Sequence, residues 1–356
     1  MTIAGATECL ELLACPECSS PLSDLRCAGC ARHYEQSDGI PDLRRPSDER
    51  TAKVRDFYTV APFPGYPPGE TISNIRSRLF SNEFVRLLDQ AISPDARIVE
   101  IGCGTGQMSL CLAHANRVVI GADLTRPSLK LAADAADRFG VERILFLETD
   151  LRRPGLRQHS FDVVFSSGVL HHTPDPRASF AAIAKLLKPG GVMVLGLYHA
   201  IARLPHRLRR AIARITGFKV IPWDPVLRAR MNEPERRQAW LRDQYQHPEE
   251  HRHTLGEVKR WFSENGIQYL RTYPSSLVGA EPLEGGQLFM PAEDDWFVER
   301  GLSQLGWMGT LSREGGLWVT IGAAGYPTVP LEDKRNTAEQ PATSACSPTT
   351  AHTSVE

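Results

Sequence analysis

Three groups of residues in this sequence have the types and spacing to do chemistry. The first is a pair of Cys-x-x-Cys knuckles, Cys15-Pro16-Glu17-Cys18 and Cys27-Ala28-Gly29-Cys30, with eight residues between them. Each knuckle offers two thiolates to one tetrahedral ion, and four soft ligands leave no open position, which is the chemistry of a structural zinc site. A redox dithiol or two disulfides are the other uses of such pairs. The redox kind opens a helix beside a βαβ unit, a pattern that the surrounding residues lack. The second group is Glu100-Ile101-Gly102-Cys103-Gly104-Thr105-Gly106, an acidic strand end followed by glycines at alternate positions. Glycine lets a backbone take positive φ and lets a ligand approach where a Cβ would clash. A dinucleotide fingerprint would place its third glycine at position 107, which is Gln107, so the loop is either an ordinary turn or the seat of another ligand. The third group is His171-His172, able to act as a general base near neutral pH or simply to shape a turn.

These groups need elements to position them. Arg97–Ile101 reads as a buried strand, and an apolar helical pattern follows from Gln107 to His114. Further strands are expected at 117–122, 143–147, 161–165 and 192–197, with helices near 127–139 and 177–187 between them. Strands separated by helices of this length predict a parallel sheet covered on both faces. Asp123 and Asp150 then fall at corresponding strand ends beside the glycine loop. Asp123 follows Gly106 by 17 positions, the reach at which a carboxylate meets ribose hydroxyls.

The pattern breaks over 199–253, where Ile201–Ile215 is amphipathic: Leu204, Leu208, Ile212 and Ile215 share one face, and Arg203, Arg207, Arg210 and Arg214 another. The arginines form either a solvated helix face or an anion-recognising lid. Thr254-Leu255-Gly256-Glu257 reads as a capping box that opens a helix to Asn265, followed by strands at 267–273 and 316–322. An aromatic, proline-stiffened stretch, Asp56–Tyr58 with Ala61–Tyr66, either packs over the domain edge or forms a flap on a ligand.

Lys+Arg and Asp+Glu number 41 and 42, so there is no global charge drive toward nucleic acid or an anionic membrane. No stretch approaches the roughly 20 apolar residues of a membrane span. Residues 1–13 make a poor signal peptide, and eight cysteines without an export signal predict thiols and metal in a cytoplasmic protein. The expected organisation is a zinc ribbon at 1–45, a main domain at 51–325 with insertions at 199–253 and 274–315, and a disordered tail at 331–356.

The wording of the first segment, Leu13-Ala14-Cys15-Pro16-Glu17-Cys18 through Asp38-Gly39-Ile40-Pro41, resembles the Trm112-like zinc ribbons, which are often fused or bound to methyltransferases. Further on, Val99 to Gly106, Gly121-Ala122-Asp123, Thr149-Asp150-Leu151, Phe161-Asp162-Val163-Val164 and Leu187-Lys188-Pro189-Gly190-Gly191 resemble, in order and spacing, the motifs of class I S-adenosylmethionine-dependent methyltransferases of the type 11 branch. The resemblance covers about 95–198. It implies an α/β, doubly wound, seven-stranded and mostly parallel sheet with its last strand antiparallel. It implies a cofactor site at Glu100, Gly102, Cys103, Gly104, Gly106, Asp123, Leu124, Asp150, Leu151 and Ser166, with Glu100 at the amino end and the glycines along the methionine part. Asp123 would take the ribose and Leu124, Asp150 and Leu151 the base. This cofactor has no pyrophosphate, which fits Gln107. His171 and His172 are the catalytic candidates, needed only if the acceptor arrives protonated.

The acceptor expected is a small or medium-sized metabolite, with 199–253 and 274–315 as a substrate lid. RNA or a translation protein is the alternative, carried by the ribbon and the arginine helix. Members that methylate exocyclic amines of nucleobases usually have Asn/Asp-Pro-Pro-aromatic after the fourth strand, where this sequence has Ser166-Ser167-Gly168-Val169. A cofactor-binding scaffold without catalysis and a nicotinamide-dependent oxidoreductase are the remaining readings, opposed by the intact motifs and by Gln107.

Overall fold

The computed structural model describes residues 3–60, 62–277, 281–292, 297–311 and 315–325. The expected tail at 331–356 lies outside them, as does part of the insertion 274–315. Helix α1 (Ile3–Leu10) leads into the cysteine segment, whose two hairpins pair β1 (Leu22–Ser23) with β2 (Arg26–Cys27) and β3 (Gln36–Ser37) with β4 (Ile40–Pro41). Helices α2 (Glu49–Thr59), α3 (Ile72–Phe80) and α4 (Glu83–Ala91) come next. The alternating region then runs β5 (Arg97–Ile101), α5 (Gln107–Leu112), β6 (Val118–Asp123), α6 (Arg126–Phe139), β7 (Ile144–Glu148), β8 (Phe161–Ser167), α7 (Pro176–Ala184) and β9 (Leu187–Tyr198). The remaining α-helices and strands among the described residues are α8 (Leu204–Ile215), α9 (Pro225–Ala229), α10 (Pro234–Leu241), α11 (Leu255–Glu264), β10 (Ile267–Tyr273), α12 (Phe297–Thr310) and β11 (Leu317–Ala324).

The main sheet has seven strands in the order β10-β11-β9-β8-β5-β6-β7, with β11 antiparallel to both neighbours. Its central strands are apolar on both faces because helices cover both: Ile98, Val99, Val119, Ile120, Val164 and Val194 are wholly buried. Local chemistry ends the helices where expected. α6 has Pro127 in its first turn and stops at Gly140 in the left-handed conformation. At α11, Thr254 accepts a hydrogen bond from the Glu257 amide, but the Glu257 carboxylate takes His253 Nδ1 at 3.0 Å instead of reaching back, so only half of a capping box forms.

The cysteine segment does not stand apart. Leu12, Leu13, Leu22, Leu25, Tyr34 and Leu43 join the core beneath the sheet. Leu43 N–H donates to the Glu148 carbonyl at 2.9 Å, continuing the sheet past its β7 edge. Glu148, fully buried, takes Arg44 from that segment at 2.7 Å and Arg126 of α6 at 2.6 Å. Two cations on one buried carboxylate fix the segment to the domain.

Candidate functional site

Sheet order reverses at β5, which lies between β6 and β8, and the carboxyl ends of these strands open into a cavity of about 890 Å³. Gly102, Gly104, Asp123, Leu124, Asp150, Leu151 and His172 line it. The β5–α5 loop is held from below. One carboxylate oxygen of Asp123 accepts the Gly104 amide at 2.8 Å, and the other accepts the amide and hydroxyl of Thr125 at 2.9 and 2.6 Å. Asp123 therefore couples the tip of the glycine loop to the start of α6.

The three glycines differ in purpose. Gly102 has φ +76°, and a Cβ there would strike Val169. At Gly106, φ +79°, a Cβ would lie 2.7 Å from Ala132 and 2.8 Å from Phe146, so this residue serves helix packing and is not part of the cavity wall. Of these three, only Gly104, φ +54°, lines the cavity with nothing within 4 Å of where a Cβ would stand; Gly168, φ +80°, across the cavity past the end of β8, is equally open. That open cradle fits a ligand laid against the loop.

Three other residues of the expected cofactor set, Glu100, Cys103 and Ser166, stand behind the wall. Glu100 is buried and takes the Ser109 hydroxyl; burial pushes its carboxyl up to about 8, against the pull of Ser109. No cation pairs with it among the described residues. Cys103 is buried, and Ser166 donates to the Ile101 carbonyl at 3.0 Å, closing β8 onto β5. Asp150 lines the cavity, yet both its carboxylate oxygens are taken by Arg152, at 2.7 and 3.2 Å, with the Arg152 amide at 2.9 Å. Arg152 also reaches Asp48 and Thr51, so this acid anchors α2 over the site.

The histidine pair splits. His171 is fully buried outside the cavity, stacked on Tyr198 at 3.8 Å and accepting the Tyr198 amide at 3.3 Å through Nδ1; burial, then its histidine and arginine neighbours, push its pKa well below the ordinary value. His172 lines the cavity. Its Nδ1 meets the Glu249 carbonyl at 2.7 Å and must carry the proton there, which leaves the lone pair on Nε2. Burial lowers its pKa, opposed by Asp243. Of the two, His172 therefore faces the cavity as a neutral imidazole, and His171 packs behind it.

The far wall was not legible in the motifs. Phe57, Tyr58, Pro62 and Phe63 of the aromatic stretch close one side, while Trp240, Arg242 and Asp243 of the insertion close another. Tyr58 donates its hydroxyl to Asp243 at 2.9 Å, bridging the two. Tyr66, from the same stretch, donates to the Thr105 carbonyl at 2.5 Å and clamps the glycine loop. The aromatic run and the break in the strand–helix pattern over 199–253 were the signals for this wall. No motif singled out Asp243 within that segment.

The four cysteines converge. Their Sγ atoms all lie within 4.8 Å of one another, with Cys15–Cys30 at 3.7 Å and Cys18–Cys27 at 3.3 Å. Zinc–sulfur bonds of about 2.3 Å in a tetrahedron put sulfurs roughly 3.8 Å apart. The Gly29 and Cys30 amides both donate to Cys27 Sγ at 3.3 Å, as suits a thiolate. The donor set fits zinc.

An α/β domain with a glycine-loop site at the switch point defines the class. Residues 99–195 match the family model of the methyltransferase domain, and this part of the chain is such a domain. The chain is 30% identical over 214 residues to an uncharacterized protein of Synechococcus sp., spanning 52% of this chain and 51% of that one. It is 37% identical over 111 residues to the ubiquinone biosynthesis O-methyltransferase of Ralstonia nicotianae (30% and 45% of the two chains). The 27-O-demethylrifamycin SV methyltransferase of Amycolatopsis mediterranei matches at 34% over 102 residues (28% and 38%). The chain spans about half the length, or less, of these relatives. Among solved structures, the magnesium protoporphyrin IX methyltransferase of Synechocystis with bound S-adenosylmethionine aligns at 15% identity, TM-score 0.43, over 79% of this chain and 99% of that one. A chain from the Haloferax volcanii complex of the Trm112 methyltransferase activator aligns at 16%, TM-score 0.44, over 79% and 100%.

Proposed function

We propose that this protein transfers the methyl group of S-adenosylmethionine to a small or medium-sized, largely apolar acceptor. The observation that carries the reading is the open cradle at Gly104 in a cavity shared by Asp123 and His172, within a methyltransferase domain. Ligand pockets run from roughly 300 to 1,000 Å³. At about 890 Å³ this one has room for cofactor and acceptor together.

When bound, S-adenosylmethionine supplies an electrophilic methyl on a sulfonium. Gly102 and Gly104 would hold its amino-acid part, Glu100 behind them would ionise toward its ammonium, and Asp123 would take the ribose with Leu124 at the base. Phe57, Tyr58, Phe63 and Trp240 orient the acceptor and exclude water, the main task in an in-line displacement. His172 Nε2 takes the proton if the nucleophile is a hydroxyl or an ammonium. The RNA reading is weakened because two of the arginines in this stretch, Arg203 just before α8 and Arg210 within it, are spent on Glu250 inside the protein.

The test is incubation with methyl-labelled S-adenosylmethionine and separated metabolite, lipid, RNA and protein fractions. Label in the small-molecule or lipid fraction supports the reading; label in RNA or protein alone overturns it. For the ribbon we propose one structural zinc held by Cys15, Cys18, Cys27 and Cys30, which elemental analysis of the purified protein should find at one per chain and a Cys18→Ser variant should lose.

A further inference from the structure

Helix α8 is oriented the reverse of an ordinary surface helix. His206 and Ala213, seven apart and so on one face, are buried against the rest of the insertion, where Leu227 and Tyr245 receive Ala213. The opposite face carries Leu204, Leu208, Ala211 and Ile215, at i, i+4, i+7 and i+11. This ridge is in solvent: Leu208 is 65% and Ile215 86% exposed. The chain that follows adds exposed Val220 and Trp223. Large apolar residues gathered in one exposed stripe mark a binding surface.

The flanks are basic. Residues 199–231 hold eight Lys/Arg and one acid, Asp224. Asp224 is buried and engaged by Tyr245 and Trp240, so it neutralises none of them. Arg203 and Arg210 are consumed by Glu250, but Arg207, Arg209, Arg214 and Lys219 have no acidic partner among the described residues. Arg207 and Arg214 lie one step around the helix from the ridge and run along its edge. A second copy of this chain would bring the same unpaired cations against them. The residues after the last strand, 326–356, offer only Tyr326, Val329, Leu331 and Val355 as large apolar side chains.

We propose that α8 is a membrane-surface helix: it lies in the interface of an anionic lipid bilayer, with Leu204, Leu208 and Ile215 among the acyl chains and Arg207, Arg214 and Lys219 on the headgroups. An apolar stripe with a cationic border is what such an interface selects, since acyl contact and headgroup attraction add. The same insertion walls the cavity through Arg230, Trp240 and Asp243, so a docked helix sets the acceptor entrance beside the lipid.

The test is sedimentation of the full chain with phosphatidylcholine vesicles, with and without phosphatidylglycerol. The expected result is binding to the anionic vesicles only, weakened by salt. Leu208→Asp with Ile215→Asp should lower it at least tenfold, and Arg207→Glu with Arg214→Glu should abolish the preference for anionic lipid. S-adenosylmethionine affinity, measured in each variant, should stay at the parent value and certifies the fold independently of any acceptor. Sedimentation equal with both vesicle types, or unaltered by the aspartates, overturns the proposal. So does a dimer in vesicle-free solution that Leu208→Asp with Ile215→Asp dissociates.

Discussion

The two walls of the cavity are built by different means. The sheet wall, from β5 to β8, is local: Asp123 holds Gly104 and Thr125, residues at most 19 positions away, and the glycines sit where the strand ends. The insertion wall is assembled at long range. Arg203 lies with no exposed surface between Glu250, Gln244 and the Gly315 carbonyl, with its guanidinium 3.5 Å from the centre of the Tyr198 ring. His172 reaches Glu249, and Tyr58 reaches Asp243 across 185 positions. A cofactor with one shape can be met by a short motif. An acceptor wall must be made from whatever distant segments the fold brings together.

If that contrast holds, acid should undo the insertion before the sheet. Burial pushes His199 down to about 4, His206 to about 3 and His247 to about 2. Their unfolded value is near 6.5, so between there and the folded values the unfolded chain binds more protons. The stability they confer is present above pH 6.5 and is lost as pH falls, through about 4 for His199, 3 for His206 and 2 for His247. At pH 5 the loss is up to about 2 kcal/mol for each histidine. Urea midpoints at pH 7 and pH 5 should show it, with the fluorescence of Trp240 in the insertion changing first; a pH-independent midpoint would break the contrast.

Removing Arg203 should come next in size. Glu250 sits at about 2, where burial pushes its pKa up and Arg203 and Arg210 outweigh that push. Arg203→Ala leaves a buried carboxylate short of its main partner and should destabilise by about 3–5 kcal/mol. Arg203→Met with Glu250→Leu should recover most of the loss, because both charges leave together. Recovery by neither change would mean that the pair is not what closes the insertion.

On the sheet side the effect falls on binding. Asp123→Ala removes two loop anchors and the ribose acceptor together. Calorimetry should find S-adenosylmethionine affinity lower by about 100-fold, some 2.7 kcal/mol, with the urea midpoint little changed. Parent affinity in this variant would refute the cofactor site.

The smallest effect expected is a single proton. Glu100, at about 8 in the free protein, is mostly protonated at pH 7. An ammonium placed against it favours the carboxylate, so cofactor binding should release close to one proton, read as a binding heat that varies with the buffer. Glu100→Gln should remove that dependence. A buffer-independent heat in the parent would move the ammonium elsewhere.

The sequence alone determined the order of the strands and helices, the glycine loop, the acid at its far end and the four converging cysteines. Each rests on contacts within a few residues or on a periodicity that burial imposes, and both are written along the chain. Tertiary structure decided the rest. It made Gly106 a packing residue and Gly104 the cradle, because only the placement of α6 and β7 tells which Cβ would clash. It bound Asp150 to Arg152, separated His172 from His171, and turned the leucines of α8 outward while drawing Arg203 and Arg210 in. A helical pattern states which residues share a face. Which face meets the protein depends on partners such as Glu250, tens of residues distant, and no local pattern records them.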